Sequence, residues 1–336
     1  MHQMIPDFIL KDVLELTEDL LVVKALRRTL AVSKQLRKRK AKAFIDHPAD
    51  KFREVYDMQG KEDPLPGKLL ISEGDDLSED GVDEVAKYAF ENAGVAYDYY
   101  LNKHGRYSLD GHGMKIISSV HYGPEHGQGI DNAFWNGKQI VYGDGTVFLP
   151  LARSLVVAGH EFTHALTNLQ YVWQSGGINE HISDVHGINI SHFAYNMPID
   201  KGSFLIGEDI VTDKFPGRAL RDMGPDKAYT SDRQVKHTKD LNKLFFDPVF
   251  WQDNMGVHLI SGIPNYAYYK VCHKMFDAGI EEFSFGKPAT IWYKAAMACG
   301  SMETFKSFKK LTMQAAEEFG DKTVAIVEQS WQEVGV

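Results

Sequence analysis

Two histidines one helical turn apart, with a glutamate beside the first, are the residues of this chain best suited to chemistry. They lie in Gly159-His160-Glu161-Phe162-Thr163-His164-Ala165. On a helix, His160 and His164 share one face. Two imidazoles so placed can hold a metal ion, and Glu161 between them can act as a base on water. Downstream, Asn179-Glu180-His181-Ile182-Ser183-Asp184 supplies Glu180 as a third donor. Asp184, a turn later, is suited to hold the outer ring nitrogen of a metal-bound imidazole, and Asn179 flanks the same donor. Two His and one Glu leave one coordination position open, which marks a catalytic zinc site rather than a closed structural one. In a chain with 14 His, the first segment alone would read equally as a surface helix with two titrating histidines. The second segment is what turns the reading toward metal-assisted hydrolysis.

These segments need two helices to carry them, expected from Leu155 to about Gln170 and from Ile178 to about Tyr195. Upstream, helical spacing of Val82, Val85, Ala89, Ala93 and Ala96 is expected to run to Leu101, after a start near Ser78-Glu79-Asp80. Residues 114–120 and 139–142 read as strands, with Asn132-Ala133-Phe134-Trp135 as an edge segment between them. His47 to Gly67 is rich in turn residues, and residues 200–250 are irregular and polar. Beyond Gly262 the pattern is helical over 263–279, 288–299, 301–319 and 322–333. Ile5 to Leu10 reads as a short strand or turn. Helical periodicity follows, with Leu14, Leu21, Leu26 and Leu30 at apolar positions.

The 336 residues suffice for two or three structural units. A hydrophobic content of 43% and a charged content of 25% are those of an ordinary globular protein. Net charge is −9, so nucleic acid is not the expected partner. Charge is unevenly spread: Lys24 to Lys42 holds nine basic residues and no acid. A solvated basic helix, an arm for an acidic surface and a pro-segment docking on an acidic body all fit that run. No apolar stretch reaches membrane-spanning length, and no secretory signal is evident. Synthesis as a soluble cytoplasmic protein is expected, with release by a route lacking such a signal left open. Cys272 and Cys299 make no disulfide framework.

The resemblance extends well past the metal motif. The segments 160–168 (HEFTHALTN) and 175–187 (SGGINEHISDVHG) resemble the zinc-binding helices of the thermolysin family of metalloendopeptidases. Segments 132–135 (NAFW), 142–145 (YGDG) and 148–151 (FLPL) match its amino-terminal lobe. Segments 217–223 (GRALRDM) and 253–262 (DNMGVHLISG) match its carboxy-terminal lobe. The likeness runs from about Val55 to the end and implies an α+β, two-lobe zincin: a mixed α/β lobe, a mainly helical lobe and an active-site cleft between them. It implies a neutral endopeptidase with one catalytic Zn2+ held by His160, His164 and Glu180, and Glu161 as general base. His258 is implied as the oxyanion donor, oriented by Asp253, with Tyr171 as the second donor across a segment about four residues shorter than usual. Asn132 and Ala133 would take the substrate as an added strand, and Arg221 would donate to the carbonyl beyond the scissile bond. Phe148, Leu151, Val157 and Leu220 align with the walls of an apolar pocket, implying cleavage on the amino side of bulky hydrophobic residues.

The amino terminus departs from most of the family. Fewer than fifty residues precede the catalytic body, and Ile5, Pro6 and Leu10 resemble the short precursor of protealysin-like members, with Asp7 where a second proline is usual. The implied division is a propeptide over 1–48, an amino-terminal lobe over 49–190 and a helical lobe over 191–336. A cut near residues 44–52 and intramolecular inhibition by the propeptide follow. The expected partners are peptide or protein substrates, and the expected state is a monomer. Val156 and Ser191 stand where the family carries acidic calcium ligands, so the double Ca2+ site is expected to be absent or rebuilt. A non-catalytic zinc-binding protein and a different His-Glu-x-x-His peptidase, such as an aminopeptidase, are the competing readings.

Overall fold

The first unit is built on a five-stranded mixed sheet. In the computed structural model, which describes residues 3–36, 51–123 and 129–336, the strands are β1 (Arg53–Lys61), β2 (Lys68–Ser72), β3 (Ile116–Tyr122), β4 (Ala133–Trp135) and β5 (Ile140–Tyr142). Their spatial order is β2-β1-β3-β5-β4. β1 runs parallel to β3 and β3 parallel to β5, while β2 and β4 close the two edges antiparallel. β1 was hidden in sequence by turn residues on both sides and by its own charges. Only Val55 and Met58 along it are strongly buried apolar residues, and Glu54 is matched by Lys115 at 3.0 Å.

Helices α1 (Asp7–Leu16) and α2 (Leu20–Leu36) precede the sheet. The strand or turn expected over Ile5–Leu10 stops at Pro6, which is extended, and α1 begins after it. A proline there lacks only an N–H that the first turn could not have used. On α2 the buried residues are Val22, Ala25, Leu26, Thr29, Val32 and Ser33, one stripe at helical spacing. Leu21 points outward and is 62% exposed. Val32 joins Met58, Tyr122, Ile130, Phe134 and Val141 in one apolar cluster, so the amino-terminal segment contributes to the sheet's core. The basic run beyond residue 36 and the expected cut, up to residue 50, lie outside the described residues.

α3 (Glu84–His104) starts at Asp83, whose side chain accepts the Ala86 N–H, rather than at Ser78. α4 (Leu155–Thr163) is capped by Ser154, which accepts from Val157 N at 3.2 Å. It is shorter than its sequence suggested, with His164 as its C-cap. Together, residues Met1–Ala165 and Gly207–Leu220 form this unit.

The second unit comprises Leu166–Ile206 and Arg221–Val336. It contains α5 (Trp173–Ala194), β6 (Leu205–Ile206), β7 (Arg221–Asp222), α6 (Leu241–Leu244), α7 (Pro248–Gln252), α8 (Val257–Ile260), α9 (Gly262–Asp277), α10 (Lys287–Ala298), α11 (Phe305–Ala316) and α12 (Asp321–Gln332). The division falls after Ala165 and not at residue 190, because α5 packs on α8, α9, α10 and α11. α5 has no single apolar stripe, because nearly all its faces are buried. Trp292 and Trp331 stack at 6.4 Å in this core, and the Trp331 indole N–H donates to Thr312 Oγ1 at 3.0 Å. Cys272 and Cys299 are both free thiols. No helix among the described residues is long and apolar enough to cross a membrane.

Candidate active site

In the first unit, α4 presents His160 and His164 as expected, their ring centroids 4.6 Å apart and perpendicular. Both are buried, as is Glu161. The turn is held from behind: Thr163 Oγ1 donates to Gly159 O at 2.6 Å and lies 2.7 Å from the Tyr100 hydroxyl, while Phe162 stacks on the Tyr100 ring. Glu161 Oε2 accepts the Trp135 backbone N–H at 2.7 Å. That bond ties the glutamate to β4, the edge strand that begins at Ala133, directly after Asn132. Sequence reasoning had no signal for it, because the donor is a backbone group.

The amino terminus lies along the same edge. Met4 N donates to Ala133 O at 3.0 Å. Ile5 N donates to Asn132 Oδ1 at 2.9 Å and Asn132 Nδ2 donates to Ile5 O at 2.8 Å. A single side-chain amide thus satisfies both backbone groups of Ile5, as it could those of a peptide laid along a sheet edge. Met4, Ile5 and Leu10 are fully buried. Phe148, Leu151, Val157 and Leu220 are buried in this unit as well, none more than 2% exposed. Phe148 also bridges to Val211 and contacts the Phe215 ring.

The second unit brings together Tyr171, Glu180, His258 and Asp253. Tyr171 donates its hydroxyl proton to Glu180 Oε1 at 2.5 Å and lies 3.2 Å from His258 Nε2. His258 Nδ1 is 2.6 Å from Asp253 Oδ1, and its backbone N–H donates to Asp253 Oδ2 at 2.9 Å. Burial disfavours the imidazolium of His258, but the Asp253 and Glu180 carboxylates outweigh it and raise the pKa to about 9. Asp184 receives Arg221 through two bonds, Nε at 2.9 Å and Nη2 at 2.7 Å, and Asn265 Nδ2 at 2.9 Å. Arg221 is 1% exposed, so its orientation is set by this bidentate pair. Asn179 donates to Thr167 Oγ1 at 3.0 Å.

A further chain of bonds escaped the sequence reading. The Trp292 indole N–H donates to His181 Nε2 at 2.6 Å. Indole can only donate, so His181 carries its proton on Nδ1 and gives it to Asn265 Oδ1 at 2.7 Å. Burial lowers the His181 pKa to about 4, which keeps the ring neutral. Asn265 in turn donates to Asp184. The donors therefore all point toward the carboxylate that holds Arg221. His181 and Asp184 share α5, while Asn265 lies on α9 and Trp292 on α10, and no local pattern links the three helices.

The chain is similar across its length to proteins of known kind. The family model described as thermolysin metallopeptidase, catalytic domain, matches residues 29–168, and that described as thermolysin metallopeptidase, alpha-helical domain, matches residues 167–336. The chain belongs to the thermolysin family of metallopeptidases. Protease PrtS of a Photorhabdus species is 36% identical over 301 residues, covering 84% of this chain and 76% of that protein. Thermolysin of Alicyclobacillus acidocaldarius is 38% identical over 285 residues, covering 81% of this chain and 49% of that protein. The solved structure of the precursor of protealysin, a metalloproteinase from Serratia proteamaculans, matches with a TM-score of 0.84 at 31% identity, covering 100% of each chain.

Membership makes the chain a zinc metalloendopeptidase with the family's amino-terminal catalytic and carboxy-terminal helical domains. Its own residues fit the metal: His160 and His164 of the first unit and Glu180 of the second are each buried, and each offers a donor of a type that zinc takes. Two imidazoles and a carboxylate are the catalytic donor set for zinc.

Proposed function

We propose that this chain is the precursor of a neutral zinc endopeptidase whose first residues occupy its own substrate-binding edge. The observation that carries the reading is the pairing of Met4 and Ile5 with Ala133 and Asn132. Those groups bind backbone, so they suit any extended peptide, and a covalently attached one competes at high effective concentration. Zinc, when bound by His160, His164 and Glu180, supplies Lewis-acid activation of water and carbonyl. Glu161, anchored by the Trp135 N–H, accepts the proton of the attacking water and returns it to the leaving amine. His258 donates toward the developing oxyanion, with Asp253 holding its ring and favouring its protonated form, and Tyr171 is the second donor. Arg221 binds the carbonyl beyond the scissile bond, its guanidinium steadied by Asp184. Phe148, Leu151, Val157 and Leu220 line the pocket that favours a bulky apolar residue after that bond. Val156 and Ser191 offer no carboxylate, which supports an enzyme that works without the family's double calcium site.

The test is Glu161→Gln. It keeps the three ligands, so zinc content should stay at one per chain. Hydrolysis of a peptide with Leu or Phe after the cut should fall by about 10²- to 10⁴-fold. Full activity in that variant would refute the mechanism. Mass analysis of the active form should show loss of the amino terminus within or near residues 44–52. Full turnover with Met1 still attached would refute the precursor reading.

A further inference from the structure

Asp131, which immediately precedes the peptide-clamping Asn132, is wholly buried and is given no role in the hydrolytic machinery above. Its Oδ1 accepts three consecutive backbone N–H groups, from Thr146 at 2.6 Å, Val147 at 2.9 Å and Phe148 at 3.1 Å. Its Oδ2 is buried without a hydrogen-bond partner among the described residues. A carboxylate buried in this way is costly, so the fold retains an expensive group at one spot between two strands. Burial raises its pKa to about 6, against the pull of the three donors and of Lys214.

The surroundings show what the group holds. The segment around Asp131 and the loop 143–148 are laced together by Gly143 N to Asn132 O at 2.9 Å and Gly145 N to Ile130 O at 3.2 Å. They also lie too close for side chains: a Cβ on Gly143 would fall 1.9 Å from Ile130 O, and one on Gly129 would fall 2.7 Å from Gly145 N. From the amino-terminal side, Asp131 N donates to Thr29 Oγ1 of α2 at 3.1 Å. One residue thus joins three things: the Asn132 amide that grips backbone, the loop that ends in Phe148, and the helix of the amino-terminal segment.

We propose that Asp131 is a positioning residue for substrate selection, setting the Phe148 wall at a defined place relative to the Asn132 clamp. Its carboxylate replaces water for three consecutive N–H groups of a tight loop. This rests on the reading of Phe148 as a pocket wall, so the experiment separates the two. Wild type, Asp131→Ala and Asp131→Asn would be compared as the processed, zinc-loaded enzyme on two peptides that differ only in Leu or Ala after the scissile bond. Backbone hydrogen exchange at residues 146–148 would be measured alongside.

Asp131→Ala should speed exchange at Thr146, Val147 and Phe148 at least tenfold and lower the Leu-over-Ala ratio of kcat/KM about tenfold, acting mainly through KM for the Leu peptide. Asp131→Asn keeps one oxygen acceptor, so it should recover much of both, and it remains informative if the alanine variant does not fold. Unchanged protection at 146–148 in both variants would overturn the proposal. So would an equal loss on the two peptides, which is what simple destabilisation produces. A wild type with no preference for Leu would instead refute the pocket reading, and Asp131 would then be judged on exchange and on KM alone.

Discussion

At the scale of single residues, two contacts make opposite demands on histidine. His121 is gripped by Asp144 at 2.9 Å and Asp83 at 3.2 Å. Burial alone would lower its pKa, but the two carboxylates raise it to about 9. A folded pKa above the unfolded value of about 6.5 means that the contribution is complete below pH 6.5 and is lost as pH rises through 9. Thermal stability of the wild type should therefore decline between those pH values, and His121→Gln should flatten that decline; parallel curves would contradict the assignment. His181 is the neutral counterpart. Trp292→Phe removes its indole donor and strands a buried acceptor, which should cost about 1–3 kcal/mol in chemical denaturation. For catalysis, Asp253→Asn should reduce kcat by on the order of 10²-fold, since the imidazole loses the negative charge that favours its protonated form and one of the two oxygens that hold it is replaced by a donor. Steady-state kinetics with zinc content checked would settle that.

At the scale of elements, β4 is the strand that matters most, although it is three residues long. It anchors Glu161 through Trp135 and receives Met4 and Ile5 through Ala133 and Asn132. Asn132→Ala deletes two bonds to a bound peptide backbone. It should raise KM for peptides roughly tenfold or more and, in the full-length chain, loosen the amino terminus enough to raise its protease sensitivity. Unchanged KM would argue that the clamp serves only the amino-terminal segment. α2 is held differently, by apolar packing of Val32 in the sheet's core. Val32→Ala removes two buried carbons and should cost on the order of 2 kcal/mol of unfolding free energy.

At the scale of the molecule, the amino-terminal segment is part of the core and, in the function proposed above, also the plug. Deleting residues 1–44 should increase peptide hydrolysis, because the edge is vacated. It should also lower the melting temperature, because the cluster of Met58, Tyr122, Ile130, Phe134 and Val141 loses Val32. Higher activity with unchanged stability would mean that the cluster closes without α2. Removing zinc by chelation should abolish hydrolysis and lower the melting temperature, and added zinc should restore both, since a ligand bound only by the folded state stabilises it by mass action.

Much of this was legible in sequence because the signals are local. The His160/His164 pair depends on helical spacing, Glu180 lies four residues before Asp184 in one short segment, and the late helices follow a regular 3.6-residue period. Strand β1 was not legible, since burial on a sheet depends on which strands flank it and its own residues are mostly polar or charged. Helix α4 stops at Thr163 although the apolar pattern runs on, and α1 replaces a strand because Pro6 suits the start of a helix. The local sequence determined the donor types, their order and the helices that carry them. Only the tertiary structure decided that Met4 and Ile5 meet Ala133 and Asn132, that Asp131 gathers three amides, and that Trp292 orients His181. Those pairings are settled by how separate elements pack, and no short-range periodicity encodes which buried polar group will complete another.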